Sequence, residues 1–454
     1  MRTINYKKII AGVLISLATA NVSAQTNGSN SSYSRFGLGL LNDQSQGMNR
    51  SMGGVSQGLR SGFSVNKLNP ASYSAIDSLT FIFDVGMSLQ RTKMKLGSAH
   101  QSANNTNFDY VNTAFRVVKN LGMSVGFQPY TSVGYSFQQE QAVGTDPYTG
   151  QNITNSFALA GSGGLHEAYI GAGWRPFKGF SIGANAGVLW GAIDHQVVQT
   201  FAENGTSNST SYSSLRSYYS SSLLTWKGDV GVQASIPVSK TELLTLGATV
   251  GIGHKVGGET TLLRTVLSGD TIMRTANSAF QLPMTYSFGA AWNHANRLFV
   301  AADASLEQWG SCTTPQFNAA TGSFTPAEGE YNNRLRVNAG VQYLPSRYDH
   351  NYMKRICYRA GVYYATSYQK ISTANNGTFD GPVQYGITAG LGLPIANGIT
   401  RTTVLNVYSP SYINIGVEWA RRQPSSSQLI AENIMRINIG ITFNELWFQR
   451  WKFK

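Results

Sequence analysis

The sequence predicts an all-β fold: a transmembrane antiparallel β-barrel of about 14 strands with an N-terminal hatch inside its lumen. Three observations lead there. Charged residues make up 13% of the 454, about half the usual share for a soluble domain, while 23 Tyr, 21 Phe, 8 Trp and 48 Gly are present. Beyond residue 24 no apolar run reaches the length of a membrane helix. Finally, two-residue alternation recurs along the chain, and long polar connections alternate with short turns. A soluble sandwich alternates too, but it has no reason to place its long loops on every second connection.

The chain begins with Arg2, Lys7 and Lys8, then the apolar run Ile9 to Ala20 and the small-residue pattern Val22-Ser23-Ala24. This reads as a secretory leader over residues 1–24, cut before Gln25. No Cys follows the cut directly, so a lipid anchor is not expected. The formal charge is +13 and the pI about 9.6. An exported chain without a basic block has little reason to bind nucleic acid. Anionic lipid head groups, including lipopolysaccharide, or anionic solutes are the better match.

Residues 25–78 read as the hatch. Its Ser51–Arg60 part is rich in Gly and Ser, with Gly53-Gly54 at the centre. At Asn69-Pro70-Ala71, Pro70 removes a donor and drives Asn69 toward extended backbone. Asn69 can also bond its own neighbouring backbone. Together they predict a rigid corner whose loss would loosen the plug without dismantling the wall.

The barrel reads as 79–443. In its first strand Phe81, Phe83, Val85, Met87 and Leu89 share one face, and Thr80, Ile82, Asp84, Gly86 and Ser88 the other, as a lipid-facing wall requires. A polar loop to about Asn107 follows, then strands at Tyr110–Val118 and Leu121–Gln139 around the turn Lys119-Asn120. Past a loop to Gly164 come Leu165–Arg175 and Phe180–Gly191, then a Ser-rich loop to Arg216. Strands follow near Tyr218–Pro237, Leu243–Leu263, Pro283–Trp292, Leu298–Trp309, Arg334–Leu344, Lys354–Tyr368, Val383–Leu393, Thr402–Trp419 and Asn433–Phe443. Trp174 and Trp292 beside short turns, with Trp190, Trp309 and Trp419 beside long loops, predict two interfacial girdles. Trp226 lies mid-strand and does not fit them. Residues 444–454 form an aromatic-basic tail, which suits an insertion signal, an interfacial anchor or a partner contact.

Several stretches carry a family resemblance: Gly53-Gly54 and Leu68-Asn69-Pro70-Ala71-Ser72 in the hatch, Gly171-Ala172-Gly173-Trp174-Arg175-Pro176, Phe180-Ser181-Ile182-Gly183, and Leu282-Pro283. Nearly the whole mature chain resembles, as a divergent member, the FadL-type outer-membrane channels for long-chain fatty acids and aromatic hydrocarbons. The resemblance implies an outer membrane of a Gram-negative bacterium, long loops outside, and hatch and C-terminus on the periplasmic side. It also implies a greasy pocket that empties sideways through an inward kink in the third strand. Phe127, Gln128, Pro129 and Tyr130 are the counterpart of that kink here, although Pro129 can equally mark a bulge.

Chemistry is sparse. His166-Glu167 beside Ser162 would suggest lipase chemistry, but neighbours along a strand point to opposite faces. The histidines show no metal spacing, and Gly161–Gly164 lacks the helix of a phosphate cradle. Cys312 and Cys357 lie at opposite ends of the barrel, beyond disulfide reach. No enzyme activity and no cofactor are expected. The leading expectation is passive uptake or binding of small hydrophobic molecules. The alternative is an accessory barrel of a larger secretion or barrel-assembly complex, with other outer-membrane proteins or lipoproteins as partners.

Overall fold

In a computed structural model, residues 30–78, 80–145, 150, 152–204, 211–265, 270–318, 320–372, 377–395, 399–401, 406–408 and 410–446 are described. The leader at 1–24 and the tail from 447 lie outside the described residues.

Fourteen wall strands follow one another as an antiparallel meander. They are β1 (Thr80–Leu96), β2 (Ala99–Val118), β3 in two pieces (Leu121–Pro129 and Thr131–Thr145), β4 (Asn152–Phe177) and β5 (Phe180–Asn204). Next come β6 (Ser211–Pro237), β7 (Glu242–Gly251 and Gly258–Thr265), β8 (Thr271–Asn277 and Thr285–His294), β9 (Leu298–Glu307) and β10 (Arg334–Tyr343). β11 (Cys357–Ala365), β12 (Val383–Pro394), β13 (Tyr412–Gln423) and β14 (Ala431–Leu446) complete the wall. β14 then pairs with β1 from Thr80↔Leu446 to Lys95↔Ala431, closing the sheet on itself. Closure gives backbone groups inside a bilayer their partners.

The alternation read from the first strand holds. Ile82, Asp84, Ser88 and Gln90 are buried toward the lumen, while Phe83, Met87 and Leu89 are exposed on the outer face. The same parity puts Ile170, Trp174, Val188, Trp226, Phe288, Ile387 and Ile437 outside. An apolar exterior around a polar interior is the lipid-facing pattern.

The strands run further than the sequence suggests. The stretches read as loops to Asn107, Gly164 and Arg216 are mostly strand: β4, β5 and β6 have 26, 25 and 27 residues. About ten residues suffice to cross a bilayer, so one flank of the barrel stands well clear of it. Gly161–Gly164 is accordingly strand, with Gly163 and Gly164 at positive φ (112° and 140°). β13 begins at Tyr412 rather than 402, and β14 continues beyond 443 to Leu446. Trp309 is no girdle residue: it is fully buried against Tyr331 and Tyr368. Both cysteines are free and buried.

Residues 30–78 cross the lumen with little regular structure. Two 3₁₀ turns (Ser32–Arg35 and Pro70–Ala75) and a four-residue helix (Gly47–Arg50) are its helical pieces. What holds this segment is a belt of wall glycines. Gly122, Gly173, Gly183 and Gly231 are successive cross-strand neighbours, and Gly247–Gly289, Gly340–Gly361 and Gly390–Gly416 are further cross-strand pairs. A methyl group at Gly183 would overlap Pro70; at Gly247, the Gln57 carbonyl; at Gly340 or Gly361, Met52. The hatch backbone therefore lies directly on the wall backbone.

Overpacking such a contact costs about 1–3 kcal/mol or more. Gly247→Val should lower the temperature at which the folded barrel loses its compact gel mobility in detergent. Ala184→Val, on the outer face, should leave that temperature unchanged.

Candidate functional site

The hatch residues singled out in the sequence all sit at hatch–wall contacts, but on two sides of the barrel. Asn69 caps the Pro70–Ala75 turn, its Oδ1 accepting from the Ala71 N–H at 3.2 Å. Its amide donates to the Gln57 carbonyl at 2.9 Å and to the β6 carbonyl of Val232 at 3.2 Å. Gly53 and Gly54 turn with positive φ (69° and 86°) against β10–β12 across the lumen. There the Gly53 N–H donates to Thr388 Oγ1 at 2.9 Å. The corner at Asn69-Pro70 is thus one anchor among several.

Charged anchors were not visible in the sequence, because their partners are remote along the chain. Lys67 of the hatch meets Glu167 of β4 at 2.5 Å, both almost fully buried. Lys227 of β6 stands 3.7 Å from the same carboxylate and 2.6 Å from Asp229. Burial lowers the Lys67 ammonium from its ordinary range, and Glu167 opposes that shift. On the far wall Asp303 accepts from the backbone N–H groups of Ser56 and Gln57, the latter at 3.0 Å. Arg50 reaches Asp109 of β2 at 2.5 Å.

The third strand is interrupted between Pro129 and Thr131, within the stretch set beside the family's kink. The first piece of β3 pairs with β2 only as far as Val111↔Phe127. Pro129 and Tyr130 follow that last pair, and the second piece continues along β4 without β2. Among the described residues, β2 from Ala99 to Tyr110 then has β1 on one edge and no strand on the other. The exposed edge of β3 is partly covered by the hatch: Leu40↔Ser132 and Leu41↔Thr131 pair antiparallel. Asn42 N–H donates to the Tyr130 carbonyl at 3.0 Å, and Gln44 Nε2 to that of Pro129 at 3.0 Å. Gln128 points inward, its amide bonded to Gln44.

A cavity of about 580 Å³ lies at this break. Phe108, Phe127, His166 and Trp190 line its outer side on lipid-facing positions. Phe127 stacks with Phe108 at 5.8 Å and with His166 at 5.7 Å between centroids. His166 and Glu167 do face opposite sides, one outward and one into the lumen. Trp190, expected in an interfacial girdle, belongs to this mouth, its ring 5.9 Å from Phe127. The inner side carries five guanidinium groups, each facing a carboxylate: Arg50–Asp109 at 2.5 Å, Arg334–Glu307 at 2.5 Å, Arg336–Asp43 at 3.5 Å, Arg422–Glu432 at 2.7 Å and Arg436–Glu418 at 2.9 Å. Burial alone would raise the Asp43 carboxyl, but Arg336 and Arg50 hold it well below the usual carboxylate range.

The greasy pocket implied by the resemblance is not an empty one. Toward the loops, the lumen is filled by Leu38, Leu165, Leu189, Ile193, Trp309 and Tyr368, among others, in one apolar cluster. The Tyr368 hydroxyl bonds the hatch carbonyl of Gly39. The open volume is the charge-balanced chamber beside it.

With this geometry in hand, the chain can be set beside known proteins. A family profile described as BamG matches residues 6–454. No curated protein matches in sequence. Among solved structures, the Pseudomonas putida toluene transporter TodX is similar at TM-score 0.55 and 16% identity, over 91% of this chain and 99% of that one. The Ralstonia pickettii toluene transporter TbuX gives 0.53 and 13%, over 90% and 100%. A Pseudomonas aeruginosa FadL homologue gives 0.52 and 12%, over 90% and 99%. The fold is therefore that of the FadL-type barrels.

The hatch contacts generate one expectation. Lys67→Met leaves Glu167 buried with only the more distant Lys227, a loss of about 3 kcal/mol. The hatch should then become protease-sensitive in the folded barrel. Lys67→Met with Glu167→Leu should recover much of the protection, since no charge is left unpaired.

Proposed function

The chain belongs to the BamG family, and from that premise we propose an outer-membrane barrel that binds small hydrophobic molecules and exchanges them passively with the bilayer. The observation that carries this reading is the cavity at the β2–β3 break, which joins lipid-facing aromatics to the lumen. Of the four residues set beside the family's kink, Phe127 and Pro129 line this cavity, while Gln128 turns inward to Gln44. A ligand would bury apolar surface against Phe108, Phe127, Leu40 and Leu41, contributing about 25 cal/mol per Å². The balanced ion pairs behind them offer polar contacts without a net charge. The toluene transporters that share the fold are channels by their own descriptions, and their likeness to this chain supports the architecture only. In this arrangement the long strands stand outside the cell and the hatch closes the periplasmic side.

A second reading is an accessory barrel within a larger secretion or barrel-assembly complex, contacting other outer-membrane proteins or lipoproteins. Two features favour it. The lumen is filled by the apolar cluster and the hatch, and β4–β6 rise as a tall Ser/Thr/Asn-rich sheet that transport does not require.

One pair of experiments separates the readings. Phe108→Asp with Phe127→Asp places two carboxylates at the lipid-side mouth. Each charged group on a barrel's lipid face costs up to a few kcal/mol near mid-membrane, so binding of an apolar fluorescent probe should fall about tenfold or more. Binding that is unaffected, or absent from the unaltered protein, rules out the portal. Stoichiometric protein partners after gentle detergent extraction would then support the second reading.

A further inference from the structure

At the turn end of the barrel a separate cavity of about 350 Å³ lies between the hatch and the feet of β9–β14. Arg60, Arg297, Arg347 and Arg359 line it, and Asp77 is the one carboxylate among its described lining residues. Arg347 lies over the Phe63 ring at 6.0 Å and acts on Asp77, so the lining arginines outnumber the acid here, whereas in the chamber above each guanidinium faces its own acid.

Two of these arginines are set in place by neutral acceptors. Arg359 is 6% exposed; its Nε donates to Gln342 Oε1 at 2.7 Å and its Nη1 to Asn414 Oδ1 at 2.6 Å. Asn414 is oriented in turn by Thr442 at 2.9 Å. Gly392 leaves room beside the remaining Nη2, which a Cβ there would approach to 2.8 Å. Arg60, from the hatch, donates to Ser181 Oγ and Ser74 Oγ at 3.0 Å and to Gln233 Oε1 at 3.3 Å. Burial, with Arg175 nearby, pushes Arg60 down to about 10.

The direct hydrogen-bond partners of both guanidinium groups are neutral, and the buried Asp84 reaches Arg359 only through Thr442 and Asn414, so part of their desolvation cost is left uncompensated. The planar fork of each remains shaped for an oxyanion. Met48, Leu59, Phe63, Phe299 and Leu344 give the cleft apolar sides, and a lower local dielectric strengthens any ion pair formed there. We propose that this cleft binds a phosphate-class oxyanion between Arg60 of the hatch and Arg359 of β11, with Arg297 and Arg347 at its rim. The ligand would tie hatch to wall at the membrane end opposite the loops. The oxyanion can be free phosphate or the phosphate of a lipid head group, and the cleft is independent of the lateral cavity.

The test uses the full chain in non-ionic, phosphate-free detergent solution. Calorimetric titration is run with inorganic phosphate and, separately, with dihexanoyl phosphatidic acid. Saturable binding of at least one probe is expected. Arg60→Gln and Arg359→Gln should each weaken it about tenfold or more, whereas Arg91→Gln on the outer face should not change it. Binding of both probes identifies a free-anion site, and binding of the lipid alone a head-group site. No saturable binding of either, or binding unchanged in Arg60→Gln, overturns the proposal. Should Arg359→Gln fail to fold, Arg60→Gln and Arg297→Gln decide the matter.

Discussion

A bilayer offers no water to unpaired groups, so whatever the barrel wall does not satisfy must be satisfied from inside. In this protein the hatch supplies much of that satisfaction. Lys67 answers Glu167, Arg50 answers Asp109, and the Ser56 and Gln57 N–H groups answer Asp303. The wall reciprocates with glycines, whose missing side chains bring the two backbones into contact. Removing the hatch would take from three buried carboxylates their hatch partners. It is therefore better described as the core of the barrel than as a stopper placed in a finished pore.

The same rule makes the break in the wall informative. A free strand edge at membrane depth is tolerated only where it lines a cavity or is covered by protein. Pro129 has no N–H to leave unsatisfied. The β3 edge beyond it is covered by Leu40 and Leu41. The facing edge of β2 borders the chamber instead. So the N-terminal segment has two tasks, filling the lumen and patching the β3 edge that the break exposes.

How much of this the sequence disclosed follows from the range of each interaction. Alternation is local, so the inward and outward faces of β1 and the turns at Lys119-Asn120 and Pro176–Gly179 could be read directly. Beyond the membrane that signal fades. The Ser-, Asn- and Thr-rich ends of β4–β6 carry no apolar face, and strand there looks like loop. Trp309 shows another limit: a girdle residue and a core residue occupy the same sequence position beside a long loop, and only the folded-back Tyr331 and Tyr368 separate them. The interruption of β3 beside Pro129 had a local signal, because proline acts on its own backbone. The pair Lys67–Glu167 had none, since nothing local links a hatch lysine to a wall glutamate 100 residues away.

Charge distribution, finally, separates the two cavities by what each can hold. In the lateral chamber five cations and five facing carboxylates cancel, so an entering ion gains little and must still shed its water. A neutral or weakly polar molecule loses much less hydration and meets Phe108, Phe127 and Trp190 on its way in. At the turn end the arginines outnumber the acid, and there an anion gains the attraction that the chamber denies it. Since the hatch contributes Arg50 and Asp43 to one cavity and Arg60 to the other, any shift of the hatch alters both at once. Occupancy of the lower cleft would hold Arg60 against the wall and, through the short stretch between Arg50 and Arg60, steady the floor of the upper chamber.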